Sequence, residues 1–162
     1  EMPPYQGGGD MVDKVSLEKT SYLDPPFKFE AGTANYVGAI SLGAAIDYLN
    51  AMGMDKIREY ERELHRYATE KLSSIEGVVI YGQAKERSAV ISFLINNIHH
   101  YDIGMILDKL GIAVRTGTHC AQPVMDCLGI TGTVRASLAF YNTREEVDKL
   151  AEGVIKVKQM FE

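Results

Sequence analysis

The sequence has little of what would mark a secreted, membrane-spanning or nucleic-acid-binding chain. Only two cysteines, Cys120 and Cys127, occur in 162 residues, too few for a disulfide framework. Their Cys-x6-Cys spacing, with His119 beside the first, lacks the doubled close pair of four-ligand zinc sites, so no metal is expected. There is no basic run and the net charge is −5, which argues against nucleic acid or an anionic membrane as partner. No stretch of about 18 apolar residues is present, so no segment is expected to span a bilayer. No signal-peptide pattern is found, and the thiol usage points to a reducing cytoplasm. No internal repeat is visible. The 46% of hydrophobic residues can supply a core for one domain, or for one domain with an appendage.

What is there centres on Ala113 to Ala121. An apolar run, Gly111-Ile112-Ala113-Val114, stops at Arg115, with Gly117, His119 and Cys120 following. That pattern predicts a strand running out into a loop. Loops held by rigid strands are where reactive groups tend to sit, and a cation near a thiol favours the nucleophilic thiolate. On these residues alone Cys120 reads equally as a reactive thiol or as a small buried core residue.

The rest of the chain reads as follows. Residues 1–35 are irregular, punctuated by Pro3-Pro4, Gly7-Gly8-Gly9 and Pro25-Pro26, with a short strand over Met11 to Val15. They form an arm or the remnant of another domain. The chain opens at Glu1 without Met, so it reads as a piece of something longer. Gly32-Thr33 ahead of a helix can present N–H groups and a hydroxyl to an anion, though the same residues are ordinary caps. A helix over Tyr36 to Met52 is apolar nearly all round and is expected to be buried between layers or domains. A second helix, about Asp55 to Ser74, has one apolar stripe and a charged, solvated face. Val78–Tyr81 and Ala89–Ile95 predict an antiparallel strand pair. His99-His100 is read as part of a turn rather than a metal site. Asp102 is expected to cap a short helix ended by Gly111. Thr133 to Ala139 alternates like a strand, with Arg135 inside it read as an edge or surface cation. Cys127 lies in an apolar stretch expected to pack. Thr143 with Glu146 predicts a capping box for a last helix. The expected fold is α+β: a small, mostly antiparallel sheet covered by helices.

Four segments occur together and in order: Gly7-Gly8-Gly9-x-Met11, Phe29-Glu30-Ala31-Gly32-Thr33-x-Asn35, Arg115-Thr116-Gly117-x-His119-Cys120, and Arg135-Ala136-Ser137-x-x-x-Tyr141-Asn142-Thr143. In these the chain resembles, over essentially its whole length, the C-terminal part of pyridoxal-phosphate-dependent cysteine desulfurases. The nearest branch is the one that also includes selenocysteine lyases and serves iron–sulfur cluster assembly. The resemblance implies the small domain of a fold-type I aminotransferase over 36–162, with 1–35 an arm left from the cofactor domain. The helix at 36–52 would bridge the two. It implies that Cys120 attacks the sulfur of L-cysteine and carries it as a persulfide, and that Arg135 holds the substrate carboxylate. Arg115 and His119 would support the thiolate or persulfide. Gly32 and Thr33 would reach the cofactor phosphate of the partner subunit in a homodimer. A sulfur-acceptor protein is the implied downstream partner.

The sequence also departs from that pattern. The family's cofactor-linking lysine follows a histidine, and no His-Lys pair occurs in this chain. Ala34 stands where proline is common. The chain by itself is therefore expected to be inactive. A freestanding persulfide carrier or sulfurtransferase, a selenocysteine lyase, and an interaction module with an incidental Cys120 are the alternatives.

Overall fold

The structure, a computed structural model, describes residues 2–162. The chain forms two compact units, Glu1–Ala51 and Met52–Glu162.

In the first unit, β1 (Val12–Val15) pairs antiparallel with β2 (Thr20–Tyr22). The turn is closed by Ser16, whose Oγ accepts from Lys19 N–H at 3.0 Å. The sequence pattern anticipated the first of these strands. The second is three residues long and too short to show periodicity. Helix α1 (Tyr36–Met52) follows, its first turn closed by Asn35 Oδ1, which accepts from Gly38 N–H at 2.9 Å. The apolar composition of α1 predicted burial, and the structure corrects this. No described residue of the helix is buried, and Ile40 is 71% exposed. Composition reports what a helix can bury; it does not supply the surface that covers it.

The second unit is built on a four-stranded antiparallel sheet of order β3-β4-β6-β5. The strands are β3 (Val78–Tyr81), β4 (Val90–Ile95), β5 (Arg115–Gly117) and β6 (Thr133–Ser137). Helices α2 (Met54–Ser73), α3 (His100–Lys109) and α5 (Arg144–Phe161) supply the rest of the core, and α4 (Gln122–Leu128) lies between β5 and β6 in the chain. The unit is α+β, as the pattern of elements implied.

Period-two alternation explains why this sheet has one core face. On β4, Ile91, Phe93 and Ile95 are buried while Val90, Ser92 and Leu94 are not. On β6, Val134 and Ala136 are buried and Arg135 between them is only half-buried. The register pairs Ile91 with Ala136 and Phe93 with Val134, so the apolar rows coincide. The helical stripes complete the core through Leu64, Ala68 and Leu72 of α2, Ile103 and Leu107 of α3, and Val147, Leu150 and Val154 of α5. Helices α2 and α5 are also tied by Tyr67, whose hydroxyl donates to Asp148 Oδ1 at 2.7 Å. The expected capping box opens α5: Thr143 Oγ1 accepts from Glu146 N–H at 3.3 Å and Glu146 Oε2 accepts from Thr143 N–H at 3.0 Å.

Three local expectations are revised. The apolar run Ile112-Ala113-Val114 precedes strand β5, which starts at Arg115. Gly111, at φ 76°, turns the chain out of α3, and Ile112 N–H donates to Leu107 carbonyl oxygen at 2.9 Å. Ile112 and Val114 are thereby spent on the core. Helix α3 starts two residues before Asp102, because His99 Nδ1 accepts from Tyr101 N–H at 3.3 Å and acts as the cap. Helix α4 was not anticipated. Its signals, Pro123 in the first turn and Gly129 in the left-handed conformation at its end, frame only seven residues. It buries Met125 alone, so Cys127 on it is exposed rather than packed.

Phe93 is fully buried in the middle of the core row. Phe93→Ala is expected to destabilise the protein by about 3–5 kcal/mol. Urea denaturation followed by circular dichroism measures this, and a loss under about 1 kcal/mol would show that the core does not depend on β4.

Candidate active site

Strand β6 is interior to the sheet, which corrects the edge half of the reading of Arg135 as an edge or surface residue; its side chain is half-buried on the face away from the core. Its neighbour β5 is the edge strand, and the register sets Arg115 directly opposite Arg135. On β4, the residue paired with Arg135 is Ser92. Arg115, Arg135 and Ser92 thus form one cross-strand row on the face that alternates away from the core. Like charges directly opposite each other on a sheet are destabilising. The buried Nε of Arg135 has no hydrogen-bond partner among the described residues. Buried polar atoms are nearly always paired, so an unpaired guanidinium nitrogen beside a second guanidinium marks a place where an anion would be stabilised.

The cysteine loop leaves the end of β5. Gly117 has φ 114°, and His119 and Cys120 follow with φ 55° and 59°. Two successive non-glycine residues at positive φ cost about 1–3 kcal/mol each, a strain usually held by surrounding structure at functional sites. The backbone is held where it turns: Ala121 N–H donates to Thr118 carbonyl oxygen at 2.9 Å. The result is that the chain doubles back. Arg115 Nη2 then lies 3.7 Å from Cys120 Sγ, and Cys120 is exposed. A guanidinium held on an exposed sulfur stabilises negative charge that develops there.

His119 is held on the other side of the loop. Its Nε2 lies 2.9 Å from Thr133 Oγ1 and 3.2 Å from the Thr133 carbonyl oxygen. Its Nδ1 is buried without a partner among the described residues. Burial first, then the positive charges of Arg135 and Arg115, hold the His119 pKa below the ordinary histidine value. His100 is lowered in the same direction, by burial first and then by His99 and His119. Its ring packs so closely on Gly132 that a Cβ there would come within 2.6 Å of His100 Nε2.

Of the residues singled out in the sequence, the structure brings Cys120, Arg115, His119 and Arg135 into one neighbourhood on β5, β6 and the loop between β5 and α4. Gly32 and Thr33 belong to the other unit. There Gly32 has φ 76° and its N–H is already engaged with Gly9 carbonyl oxygen at 2.8 Å, while Thr33 is exposed. Gly132 and Thr133 were missed as site residues. Their only sequence signal is a hydroxyl and a glycine at the start of an alternating strand. Thr133 meets His119 across 14 residues of chain. Among the described residues no group of three or more His, Cys, Asp or Glu side chains is placed to hold a metal ion.

An exposed cysteine in contact with one arginine, beside a second arginine with an unpaired buried nitrogen, marks this as a thiol-bearing α+β domain. Comparison with known proteins is specific. The aminotransferase class-V family profile matches residues 1–150, and the chain belongs to that family. A cysteine desulfurase of Salmonella agona (strain SL483) is 50% identical over 162 residues, which is 99% of this chain and 40% of that protein. The crystal structure of the cysteine desulfurase CsdA of Escherichia coli, in an S-sulfonic acid form, matches with TM-score 0.89 and 36% identity. It aligns with 98% of this chain and 39% of its own. The apo cysteine desulfurase of Thermococcus onnurineus NA1 matches with TM-score 0.87 and 42% identity, over 96% of this chain and 40% of its own. The architecture of the sheet and its helices is that of the C-terminal domain of a cysteine desulfurase, and this chain spans about 40% of the length of the curated relatives. Pyridoxal phosphate is the cofactor associated with this family.

Both cysteines are exposed, so access does not separate them; the Arg115 contact does. Timed alkylation with mass mapping is expected to label Cys120 faster than Cys127. Arg115→Ala is expected to slow Cys120 several-fold and leave Cys127 alone. Equal rates in the wild-type chain would remove the arginine from any activating role.

Proposed function

We propose that this chain is the C-terminal part of a pyridoxal-phosphate-dependent cysteine desulfurase in which Cys120 accepts sulfur from L-cysteine. The observation that carries the reading is the Arg115–Arg135 pair beside an exposed Cys120, with the buried Arg135 Nε unpartnered. Arg135 takes the substrate carboxylate, whose two oxygens match the planar fork of a guanidinium. Arg115 Nη2, 3.7 Å from Cys120 Sγ, is placed to stabilise negative charge on that sulfur as it reacts. Cys120 Sγ attacks the sulfur of the substrate; an S–S bond forms as the substrate C–S bond breaks, the C–S electron pair stays with the carbon, and that carbon takes up a proton so that the skeleton leaves as L-alanine. The persulfide left on Cys120 is exposed and within reach of a sulfur-acceptor protein of an iron–sulfur assembly system.

The residues present fit the substrate and sulfur side of such a site. They do not fit the cofactor ring, because the sequence contains no His-Lys pair to link it. When bound, the cofactor supplies the electron sink for the substrate α-carbon. In this reading residues 1–35 are the arm of the cofactor domain, and α1, with its exposed apolar side chains, bridges to that domain. Gly32 and Thr33 would help hold the phosphate of the partner subunit's cofactor in a homodimer. A cytoplasmic location is part of the same proposal; among the described residues no helix is long and apolar enough to cross a membrane.

In a full-length enzyme carrying this sequence, Arg135→Lys is expected to raise the KM for cysteine by about tenfold or more, with cofactor absorbance unchanged. Lysine keeps the charge and loses the bidentate geometry. Unchanged kinetics would remove Arg135 from the substrate site. The 162-residue chain alone is expected to take up no stoichiometric, covalent pyridoxal phosphate and to release no sulfide from cysteine. Absorbance titration and sulfide assay check this. Turnover by the chain alone, lost on Cys120→Ala, would make it an autonomous enzyme.

A further inference from the structure

The contacts of His119 with Thr133 do more than anchor a loop. A carbonyl oxygen can only accept, so the 3.2 Å contact to the Thr133 carbonyl requires a proton on Nε2. The hydroxyl oxygen at 2.9 Å can accept from the same N–H. One shared Nε2–H satisfies both contacts, whereas a bare Nε2 would face the carbonyl lone pairs. In a neutral ring this leaves Nδ1 without a proton, and that atom is buried and unpartnered among the described residues. Thr133 itself is 1% exposed and cannot drift. The preceding Gly132 is buried, and a Cβ there would meet His100 Nε2 at 2.6 Å and Gly117 carbonyl carbon at 2.9 Å.

We propose that Thr133 is a positioning residue for the Cys120 nucleophile: it pins the His119 ring as the Nε2–H tautomer, keeps Nδ1 a bare acceptor, and so holds the two positive-φ residues that carry the sulfur to Arg115. The proposal rests on the reading of Cys120 as the sulfur nucleophile. Three charged or titratable groups bear on the ring: Arg115 of β5, Arg135 of β6 and His100 of α3. Burial first, then the two guanidiniums, oppose protonation of the ring and outweigh the Thr133 carbonyl bond, which favours it, so Nδ1 stays available to accept a hydrogen bond at neutral pH.

The test uses the full chain, its Thr133→Val variant, which keeps the shape and removes the hydroxyl, and Thr133→Ser, which restores it. Nitrogen-15 NMR of the wild-type imidazoles at neutral pH is expected to show His119 as the Nε2–H tautomer. Finding the Nδ1–H tautomer overturns the proposal even if no variant folds. In timed alkylation across pH, Thr133→Val is expected to slow Cys120 roughly fivefold, about the worth of one neutral hydrogen bond. Cys127 should be unchanged as the internal control, and Thr133→Ser should return the wild-type rate. A Thr133→Val chain with unaltered Cys127 labelling and an unaltered Cys120 pH profile also overturns the proposal. Failure of a full-length enzyme to desulfurate cysteine would refute the functional reading while leaving the tautomer and labelling results intact, so the two are told apart.

Discussion

Two arginines stand opposite each other across β5 and β6, and much of the site depends on that arrangement. Arg115 and Arg135 are brought together by the antiparallel register, on the face of the sheet that the core does not use. An isolated pair of this kind is repulsive. Arg115 Nη2 lies 3.7 Å from Cys120 Sγ. Arg135 keeps a buried, unsatisfied nitrogen. The pair therefore has one arginine in contact with sulfur and one with a buried nitrogen open to an anion.

The core makes that register obligatory. A one-residue slip of β6 would turn Val134 and Ala136 outward and Arg135 inward. The cost of burying an unpaired guanidinium, added to the loss of two apolar contacts against Ile91 and Phe93, excludes the slip. The placement of Arg135 and the packing of the core are two faces of the same strand. The helices contribute indirectly: α3 delivers His100 onto Gly132, where no side chain is tolerated.

The loop that carries Cys120 shows how strain is held. His119 and Cys120 both adopt positive φ without being glycine. Such geometry survives only if neighbours over-determine it. The imidazole bonds to Thr133, the guanidinium contact to sulfur and the Ala121 turn bond together meet that requirement. Each of these interactions starts from a different element.

Much of this was legible in the residues. Periodicity placed α2, α5, β3 and β4 within a residue or two, because amphipathic stripes and alternation are local signals. The Thr143–Glu146 box was readable for the same reason. The motif Arg115-Thr116-Gly117-x-His119-Cys120 and its companions pointed to the family. Where the sequence misled, the deciding contact was distant. Ile112 and Val114 looked like a strand and were claimed by the core. Cys127 looked buried and lies on the open side of a seven-residue helix. Arg135 read as an edge or surface cation, and it sits half-buried on an interior strand. Strand order, the opposition of Arg115 to Arg135, and the seating of His119 on Thr133 join residues 14 or more positions apart. The amino-acid sequence by itself determined which residues could do the chemistry and which elements would carry them. Only the tertiary structure decided which of them meet, because hydrogen-bond register and burial are settled between segments and not within them.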